Sequence, residues 1–283
     1  MDETPGSALK IRPMRDDDIA LAVDWAAAEG WNPGLSDAQC FAQVDPDGFL
    51  VGEVDGKPVA VVSAVNYDDS FAFLGFFIVR PDLRGHSYGI QVSHAALAHA
   101  GARTMGLDGV VEQQDNYAKS GFVRAYNNIR YGGVPKNVDA SVTTVPLSEI
   151  PFDDIVADDA RVFPVARPAF WKAWLNAPGH RGRALVRDGK LSAWGVIRPC
   201  RKGRKIGPLI ADDRAGAEAV FAALVGDEGG EVFLDVPQPN EDAVALATAH
   251  GLTPVFETAR MYAGPVPPLA LNRIFGVTTF ELG

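Results

Sequence analysis

Residues 79–90 read VRPDLRGHSYGI and stand where an apolar run, FAFLGFFIV, gives way to a segment of helical period. A strand that passes through a glycine-rich turn into a helix directs several free backbone N–H groups, and the positive end of the helix dipole, at one point, which attracts phosphate. Arg84 adds a positive charge, Ser87 supplies a hydroxyl, and Gly85 and Gly89 let a ligand approach the backbone. The pattern fits a phosphate-binding turn or an ordinary turn with a solvated arginine, and by itself it favours neither.

Composition and charge limit the classes of function. The chain has 283 residues, 47% of them apolar and 22% charged, which suits a globular protein of two domains. The formal charge of -10 argues against a nucleic-acid partner, because such binding depends on clustered lysine and arginine. Cys40 and Cys200 lie far apart and outside any Cys/His cluster, so we expect neither a disulfide framework nor a metal site. Without a membrane-length apolar run or a recognisable signal peptide, we expect a cytoplasmic protein with no membrane partner.

The elements that must position the turn follow in order along the first part of the chain. A short strand (7–14), a helix opened by Asp residues (16–30) and a helix starting at Ser36 in a Ser-x-x-Gln capping pattern come first. The predicted remainder is a three-strand meander (48–54, 59–67, 71–79), a helix to Gly101, a short strand (102–108), a short helix (112–120) and two strands (121–126, 140–147). This unit ends near residue 147.

A second unit repeats that order. Residues 146–168 are rich in proline and aspartate without a clean period and are predicted to be a linker. After a helix (169–175) the pattern predicts a hairpin (182–197), a strand (204–213), a helix (215–226), a strand (231–237), a helix (241–251) and a strand (253–264). The echo of the first unit suggests a duplicated fold.

The loop resembles a known cofactor-binding motif. PDLRGHSYGI is similar to the acyl-CoA pyrophosphate loop of the GNAT N-acetyltransferase superfamily, Arg/Gln-x-x-Gly-x-Gly/Ala after a strand ending in Val-x-Pro. Ser87 replaces the first glycine, so it must keep a helical and not a left-handed backbone. The resemblance implies acetyl-CoA as co-substrate, held by Phe77, Ile78, Val79, Arg84, Gly85, His86, Ser87, Tyr88, Gly89 and Ile90, with the strand before the loop splayed from its neighbour.

A second motif implies the catalytic residues. YAKSGF, residues 117–122, resembles the family segment Tyr-x-x-x-Gly-Phe, which makes Tyr117 the general acid. A phenol can protonate a leaving thiolate, although most tyrosines only pack between helix and sheet. A carboxylate must take the proton of the amine; Glu29, Asp69, Asp108 and Glu112 are open alternatives, of which Glu29 and Glu112 are taken first.

The loop EGWNPGLSD, residues 29–37, is a candidate for substrate binding. Trp31 and Asn32 combine a rigid aromatic surface with polar groups, which suits a small ligand. The competing interpretation is a turn between helices, shaped by Asn-Pro-Gly, with Trp31 in the core.

The second unit lacks the chemistry of the first. Asp212 and Asp213 stand where a pyrophosphate would lie, and Ala247 takes the tyrosine position seven residues after Asn240. We therefore predict an α/β (α+β) chain of two tandem GNAT-like domains, each a mixed, mostly antiparallel sheet flanked by helices: 1–147 catalytic and 148–283 degenerate. The last stretch, NRIFGVTTFELG, is expected to cover a sheet edge or to form a subunit contact, as in a homodimer.

Two functions of different class remain. The first is an N-acetyltransferase that moves an acetyl group from acetyl-CoA to a primary amine of a small molecule by direct attack in a ternary complex, without a metal. The second is an acyl-CoA-binding sensor or scaffold that has lost catalysis, for which Ser87 in the loop and Val110, at a frequent Asn position, are the support.

Overall fold

The computed structural model describes residues 8–226 and 228–283. The first half contains helices α1 (Asp16–Ala28), α2 (Asp37–Phe41), α3 (Tyr88–Ala100) and α4 (Gln114–Lys119). Its strands are β1 (Lys10–Pro13), β2 (Phe49–Val54), β3 (Lys57–Asn66), β4 (Phe71–Val79), β5 (Thr104–Val110), β6 (Val123–Gly133) and β7 (Val145–Pro146). The strand predicted over 140–147 is thus reduced to two residues.

The second half contains helices α5 (Phe152–Asp159), α6 (Pro168–Leu175), α7 (Arg214–Val225) and α8 (Glu241–Ala249). Its strands are β8 (Arg181–Arg187), β9 (Lys190–Pro199), β10 (Arg204–Ala211), β11 (Val232–Pro237), β12 (Thr253–Ala263) and β13 (Ile274–Gly276). The predicted linker was wrong over α5. This helix has only two turns, too few to show a period, and it is held by buried Ile155 and by Trp194 Nε1, which donates to Asp158 Oδ2 at 2.8 Å.

One mixed sheet runs through both halves. The strand order is β1-β2-β3-β4-β5-β12-β6-β11-β10-β9-β8-β7, and β13 pairs with β10. Neighbouring strands are antiparallel except β4 with β5 and β10 with β11, within the residues described. The predicted fold class, a mostly antiparallel mixed sheet flanked by helices, is confirmed.

The two halves exchange strands. β12 of the second half lies between β5 and β6, with Ala259 opposite Gly109 on one side and Asn127 on the other. β6 of the first half in turn pairs with β11, with Tyr131 opposite Leu234. The sequence analysis did not anticipate this exchange, because alternation within a strand does not reveal its partner. A division of the chain at residue 147 stays a prediction.

Buried contacts also join the helices of the two halves. Phe41 of α2 stacks on Trp174 of α6 with ring centroids 6.4 Å apart. Asp37 accepts from Arg198 Nε at 3.0 Å, and both side chains are fully buried. Ser36 precedes α2 as expected, but its hydroxyl donates to Pro178 O at 2.9 Å instead of capping the helix, so the predicted capping box was wrong.

In the ranges 8–226 and 228–283, none of the helices has the length and apolar character that crossing a membrane requires.

Candidate active site

A gap opens between two parallel strands of the first half. β4 and β5 pair from Phe71↔Thr104 to Leu74↔Leu107, and both strands continue beyond that point without pairing to each other in the described chain. The register of β4 with β3 shifts between Gly75 and Ile78, and Phe76 takes the left-handed backbone conformation, with φ 49°. This bulge bends β4 away from β5, as the sequence analysis expected.

The open edge of β4 presents backbone donors. Arg80 N donates to Val59 O at 3.0 Å, and Ile78 lies opposite Val61 two residues earlier. Because the donors of an antiparallel strand alternate between its two sides, Ile78 bonds towards β3, whereas Phe77 and Val79 direct their N–H groups into the gap. These donors are available to a ligand that lies along the strand.

The bulge sends neighbouring side chains to opposite sides of the sheet. Phe77 points to the side covered by α3 and α4, here called the α3 face, where its ring centroid lies 6.4 Å from that of Tyr117. Phe76 points to the side covered by α1 and α2, the α1 face, where it contacts Phe41 with centroids 5.7 Å apart. The gap therefore connects two different environments.

A narrow cleft, partly open to solvent, passes through this gap. Much of its lining is aromatic, and it includes the predicted residues Tyr117, Phe77 and Trp31. The full lining is Trp31, Val62, Leu74, Gly75, Phe76, Phe77, Ser93, Leu97, Leu107, Asp108, Val110, Tyr117, Ser120, Phe122, Phe256, Thr258 and Phe280.

Tyr117 lies on the α3 face of the cleft, half-buried. Its ring packs edge-on against Phe77 and Phe122, with centroids 6.4 Å apart in each case. Gly109 provides the space, because a Cβ there would lie 2.9 Å from the tyrosine ring. Desolvation raises the pKa of Tyr117 to about 12, so the phenol keeps its proton at neutral pH.

The predicted loop ends at the first turn of α3. Ser87 has φ -73° and ψ 4°, the right-handed conformation that its substitution for glycine demands, and Gly85 takes φ 88°. No side chain of the described residues caps α3, so its first amides are free to receive an anion. Gly89 packs closely, since a Cβ there would lie 3.3 Å from the Phe77 ring. His86, Tyr88 and Ile90 belong to the same exposed or half-exposed stretch.

The carboxylates considered as general bases lie in different places. Glu29 forms an ion pair with Arg84 of the loop and does not line the cleft, as far as the structure describes it. Glu112 is exposed on a short 3-10 turn, also outside the lining, and Asp69 is exposed beside Arg103. Asp108 lines the cleft, but it accepts from Arg260 at 2.8 and 2.9 Å and from Asn128 at 2.7 Å.

The two residues predicted to bind the substrate, Trp31 and Asn32, lie in different surroundings. Trp31 lines the cleft from the α1 face. Asn32 instead joins the two halves: its Nδ2 donates to Lys202 O at 3.0 Å, and its Oδ1 accepts from Lys202 N at 2.8 Å. The loop thus contributes Trp31 to the cleft lining and forms a structural turn through Asn32. Its role in substrate binding stays a prediction.

The second half supplies lining residues that the sequence analysis missed. Phe256 and Thr258 lie on β12, and Phe280 lies in the segment after β13. That segment passes next to β4, since a Cβ on Gly75 would lie 2.1 Å from Glu281 O, and Tyr67 donates to Leu282 O at 2.7 Å. Contacts over such sequence separations leave no local signal.

The corresponding gap of the second half is filled by the chain itself. β10 and β11 pair in parallel up to Ile206↔Leu234, and beyond that β13 enters, with Gly276 opposite Leu209. Val277 N donates to Asp235 O at 2.8 Å on the β11 side. The last stretch was expected at a sheet edge or a subunit contact, and it lies within the sheet instead.

The helix start in the second half is also occupied. Asp213 precedes α7, and its Oδ1 accepts from Gly216 N at 2.7 Å, where a phosphate oxygen would compete. The same carboxylate pairs with Arg187 at 2.6 Å. Within residues 148–226 and 228–283, the start of α7 is therefore capped and the gap between β10 and β11 is filled. The degeneracy of the second half stays a prediction.

Both halves match protein-family models. Residues 17–122 match the acetyltransferase (GNAT) family, and residues 155–276 match an acetyltransferase (GNAT) domain. A relative from Pseudoalteromonas sp. (strain SANK 73390), holothin acyltransferase, is 33% identical over 276 residues, which cover 96% of this chain and 94% of the relative.

Solved structures share the architecture. A Pyrococcus horikoshii protein described as an acetyltransferase superposes with a TM-score of 0.85 at 23% identity, over 100% of this chain and 99% of that one. A tandem GNAT protein from the clavulanic acid biosynthesis pathway gives a TM-score of 0.63 at 17% identity, over 92% and 100% of the two chains. At these identities the likeness supports the fold alone.

Proposed function

The chain belongs to the GNAT acetyltransferase family and is an acyltransferase, and on that premise we propose that it transfers an acetyl group from acetyl-CoA to a primary amine of a small molecule. The observation that carries the proposal is the gap between β4 and β5, which joins a face suited to a thioester cofactor with a face suited to an acceptor.

The α3 face fits acyl-CoA by the chemistry of its groups. The free amides at the start of α3 and the Arg84 guanidinium would hold the diphosphate, with Gly85 giving room. Phe77 N and Val79 N would bond the pantetheine amides in the manner of an added strand. Arg84 is already paired with Glu29, so the diphosphate must share or displace that carboxylate.

The reaction proposed is direct attack. The lone pair of the amine nitrogen forms a bond to the thioester carbonyl carbon, and the C–S bond then breaks to release the thiolate. The amine loses one proton and the sulfur gains one, so an amide and free CoA are the products. Backbone N–H groups of the β4 bulge would stabilise the negative charge on the carbonyl oxygen.

Tyr117 is the proposed proton donor to sulfur. Its ring lies on the α3 face beside Phe77, and its pKa, raised to about 12 by desolvation, keeps the phenol protonated when the thiolate leaves. The phenol recovers its proton from the attacking nitrogen, so it is unchanged over the cycle.

The test is turnover of the purified chain with acetyl-CoA and a panel of primary amines. We expect release of one CoA thiol per acetylated amine, detected with a thiol reagent and by mass spectrometry. The same amines with longer acyl-CoAs measure the preference for acetyl. Tight acetyl-CoA binding by calorimetry without turnover on any amine would overturn the proposal and favour an acyl-CoA sensor.

A further inference from the structure

The acceptor side of the cleft has aromatic walls from both halves of the chain. Trp31 comes from the loop after α1, Phe256 from β12 and Phe280 from the segment after β13. The rings of Phe256 and Phe280 have centroids 6.3 Å apart and an interplanar angle of 35°. Such surfaces on the α1 face favour a flat, apolar group in the acceptor.

The cation behind these rings, Arg130, is already paired with a carboxylate. Arg130 lies 5.5 Å from the Phe256 centroid and 4.9 Å from that of Phe280. It is 2% exposed, donates to Asp235 at 2.6 and 2.8 Å, and donates to Trp31 O at 2.6 Å. The guanidinium stiffens the wall and does not contribute an open anion site.

The carboxylate in the cleft lining, Asp108, is likewise paired with an arginine. Asp108 accepts two bonds from Arg260 and one from Asn128, and its side chain is fully buried.

An alkylammonium ion entering this cleft would lose its water. Aromatic faces attract cations, but the Arg130 guanidinium already lies over Phe256 and Phe280 and would repel a second positive charge. On the α3 face of the same cleft, desolvation raises the pKa of Tyr117 to about 12, which agrees with a poorly hydrated lining.

One polar side chain of the wall has unused hydrogen-bonding capacity. Thr258 lies on β12 opposite Val110 and Asn128, is 1% exposed, and has a hydroxyl without a hydrogen-bond partner in the described residues. Buried hydroxyls are normally paired, and because Thr258 lines the cleft, this hydroxyl is placed to pair with a ligand there. The lone pairs of Oγ1 suit an amine N–H.

We infer that the acceptor, given the proposed acetyl transfer, is a planar aryl, heteroaryl or enamine-type amine that is uncharged at neutral pH, bound between Trp31, Phe256 and Phe280 with its N–H donated to Thr258 Oγ1. Such a nitrogen attacks without first losing a proton to a carboxylate. After attack, one nitrogen proton passes to the departing sulfur by way of Tyr117, and amide and thiol result.

The first test compares two classes of amine under identical conditions with acetyl-CoA. The planar set is aminothiophenes, anilines and aminopyrazoles; the basic set is putrescine, glycine amide and an aminoglycoside. We expect kcat/KM at least about 100-fold higher for the planar set, and flat between about pH 6 and 9, since those amines do not titrate there. Faster acetylation of the basic set would overturn this inference and leave the acetyltransferase proposal standing; no acetylation of either set would overturn both.

The second test uses variants of the acceptor wall. Thr258→Val should raise KM for the planar amine about 5- to 30-fold. Thr258→Ser, which keeps the hydroxyl, should have the wild-type KM. Phe280→Leu and Phe256→Leu should each raise that KM about 5-fold or more, with acetyl-CoA affinity unchanged by calorimetry. Val266→Ala, at an exposed position, is the matched control. Wild-type KM in Thr258→Val, in a variant with a native melting curve, would remove Thr258 from the site.

Discussion

The side-chain amide of Asn240 donates a hydrogen bond to the carbonyl of Ile274 at 2.9 Å. It also donates to Leu271 O and Asn272 O at 3.3 and 3.2 Å, and its oxygen accepts from Ala243 N at 3.2 Å, which caps α8. One side chain therefore fixes the strand that fills the gap between β10 and β11.

Replacing Asn240 should loosen that strand. Asn240→Ala removes a helix cap and leaves buried carbonyls with fewer donors, so the free energy of unfolding should fall by about 2–4 kcal/mol, measured by urea denaturation. Asn272→Ala is the control, because that exposed residue contributes its main-chain carbonyl. Equal stability of the two variants would contradict the role given to the amide.

Removing the phenol of Tyr117 should separate catalysis from binding. Tyr117→Phe keeps the ring contacts with Phe77 and Phe122 and loses the proton donor, so kcat should fall about 100-fold while the acetyl-CoA dissociation constant changes less than about 2-fold. Steady-state kinetics and calorimetry measure the two effects. Tyr131→Phe, in the second-half core, serves as control. We take a change of about 3-fold as the smallest significant effect, so a kcat within about 3-fold of the wild-type value would exclude the phenol as the proton donor.

Replacing Glu29 tests the general-base hypothesis directly. Because this carboxylate pairs with Arg84, Glu29→Gln should alter KM for acetyl-CoA, and lower it if the freed guanidinium binds the diphosphate better. The value of kcat should stay within about 3-fold, since losing a general base costs about 100-fold or more. Glu112→Gln should change neither parameter. A large drop in kcat at constant KM would restore Glu29 as the base.

Burial of His180 should make stability depend on pH. Desolvation, with Arg198 nearby, lowers the pKa of His180 from 6.5 to about 4, and its ring lies 4.6 Å from that of Trp174. Between these pH values His180 is protonated in the unfolded chain and neutral in the folded one. The free energy of unfolding therefore falls as pH falls from 6.5 towards 4.

The comparison is between wild type and His180→Phe, which keeps an aromatic ring without a titrating nitrogen. On acidification through this range, wild type should lose about 1–3 kcal/mol more than the variant, by denaturant unfolding at each pH. Ring proton shifts in NMR follow the titration of His180 itself. Parallel loss of stability in both proteins would show that the imidazole does not contribute.

Local patterns were sufficient for most elements of the fold and for the backbone of the loop that is proposed to bind the cofactor. Alternation and turn residues located β2, β3 and β4, and the Gly101 stop ended α3 as expected. The segment from Arg84 to Gly89 was recognisable because the proposed role depends on backbone conformation and small size, which are properties of neighbouring residues.

The acceptor side could not be predicted, since its parts are remote from each other in sequence. Trp31 lines the same cleft as Phe256 and Phe280 only because β12 enters the sheet beside β5 and the following segment passes β4. The ion pair of Asp108 with Arg260 spans the two halves, so the surroundings of this candidate base could not be predicted. The sequence around Asp108 does not indicate Arg260 as its partner, and the sequence around Arg260 does not indicate Asp108.

The exchange of β6 and β12 also bears on how the protein is made. During synthesis the edge of β5 that pairs with β12 stays unpaired until Thr253–Ala263 has left the ribosome. The aromatic wall of Trp31, Phe256 and Phe280 is complete only when Phe280 has been added. The second half of the chain therefore supplies the last part of the cleft lining to be synthesised, and neither half alone contains the whole lining.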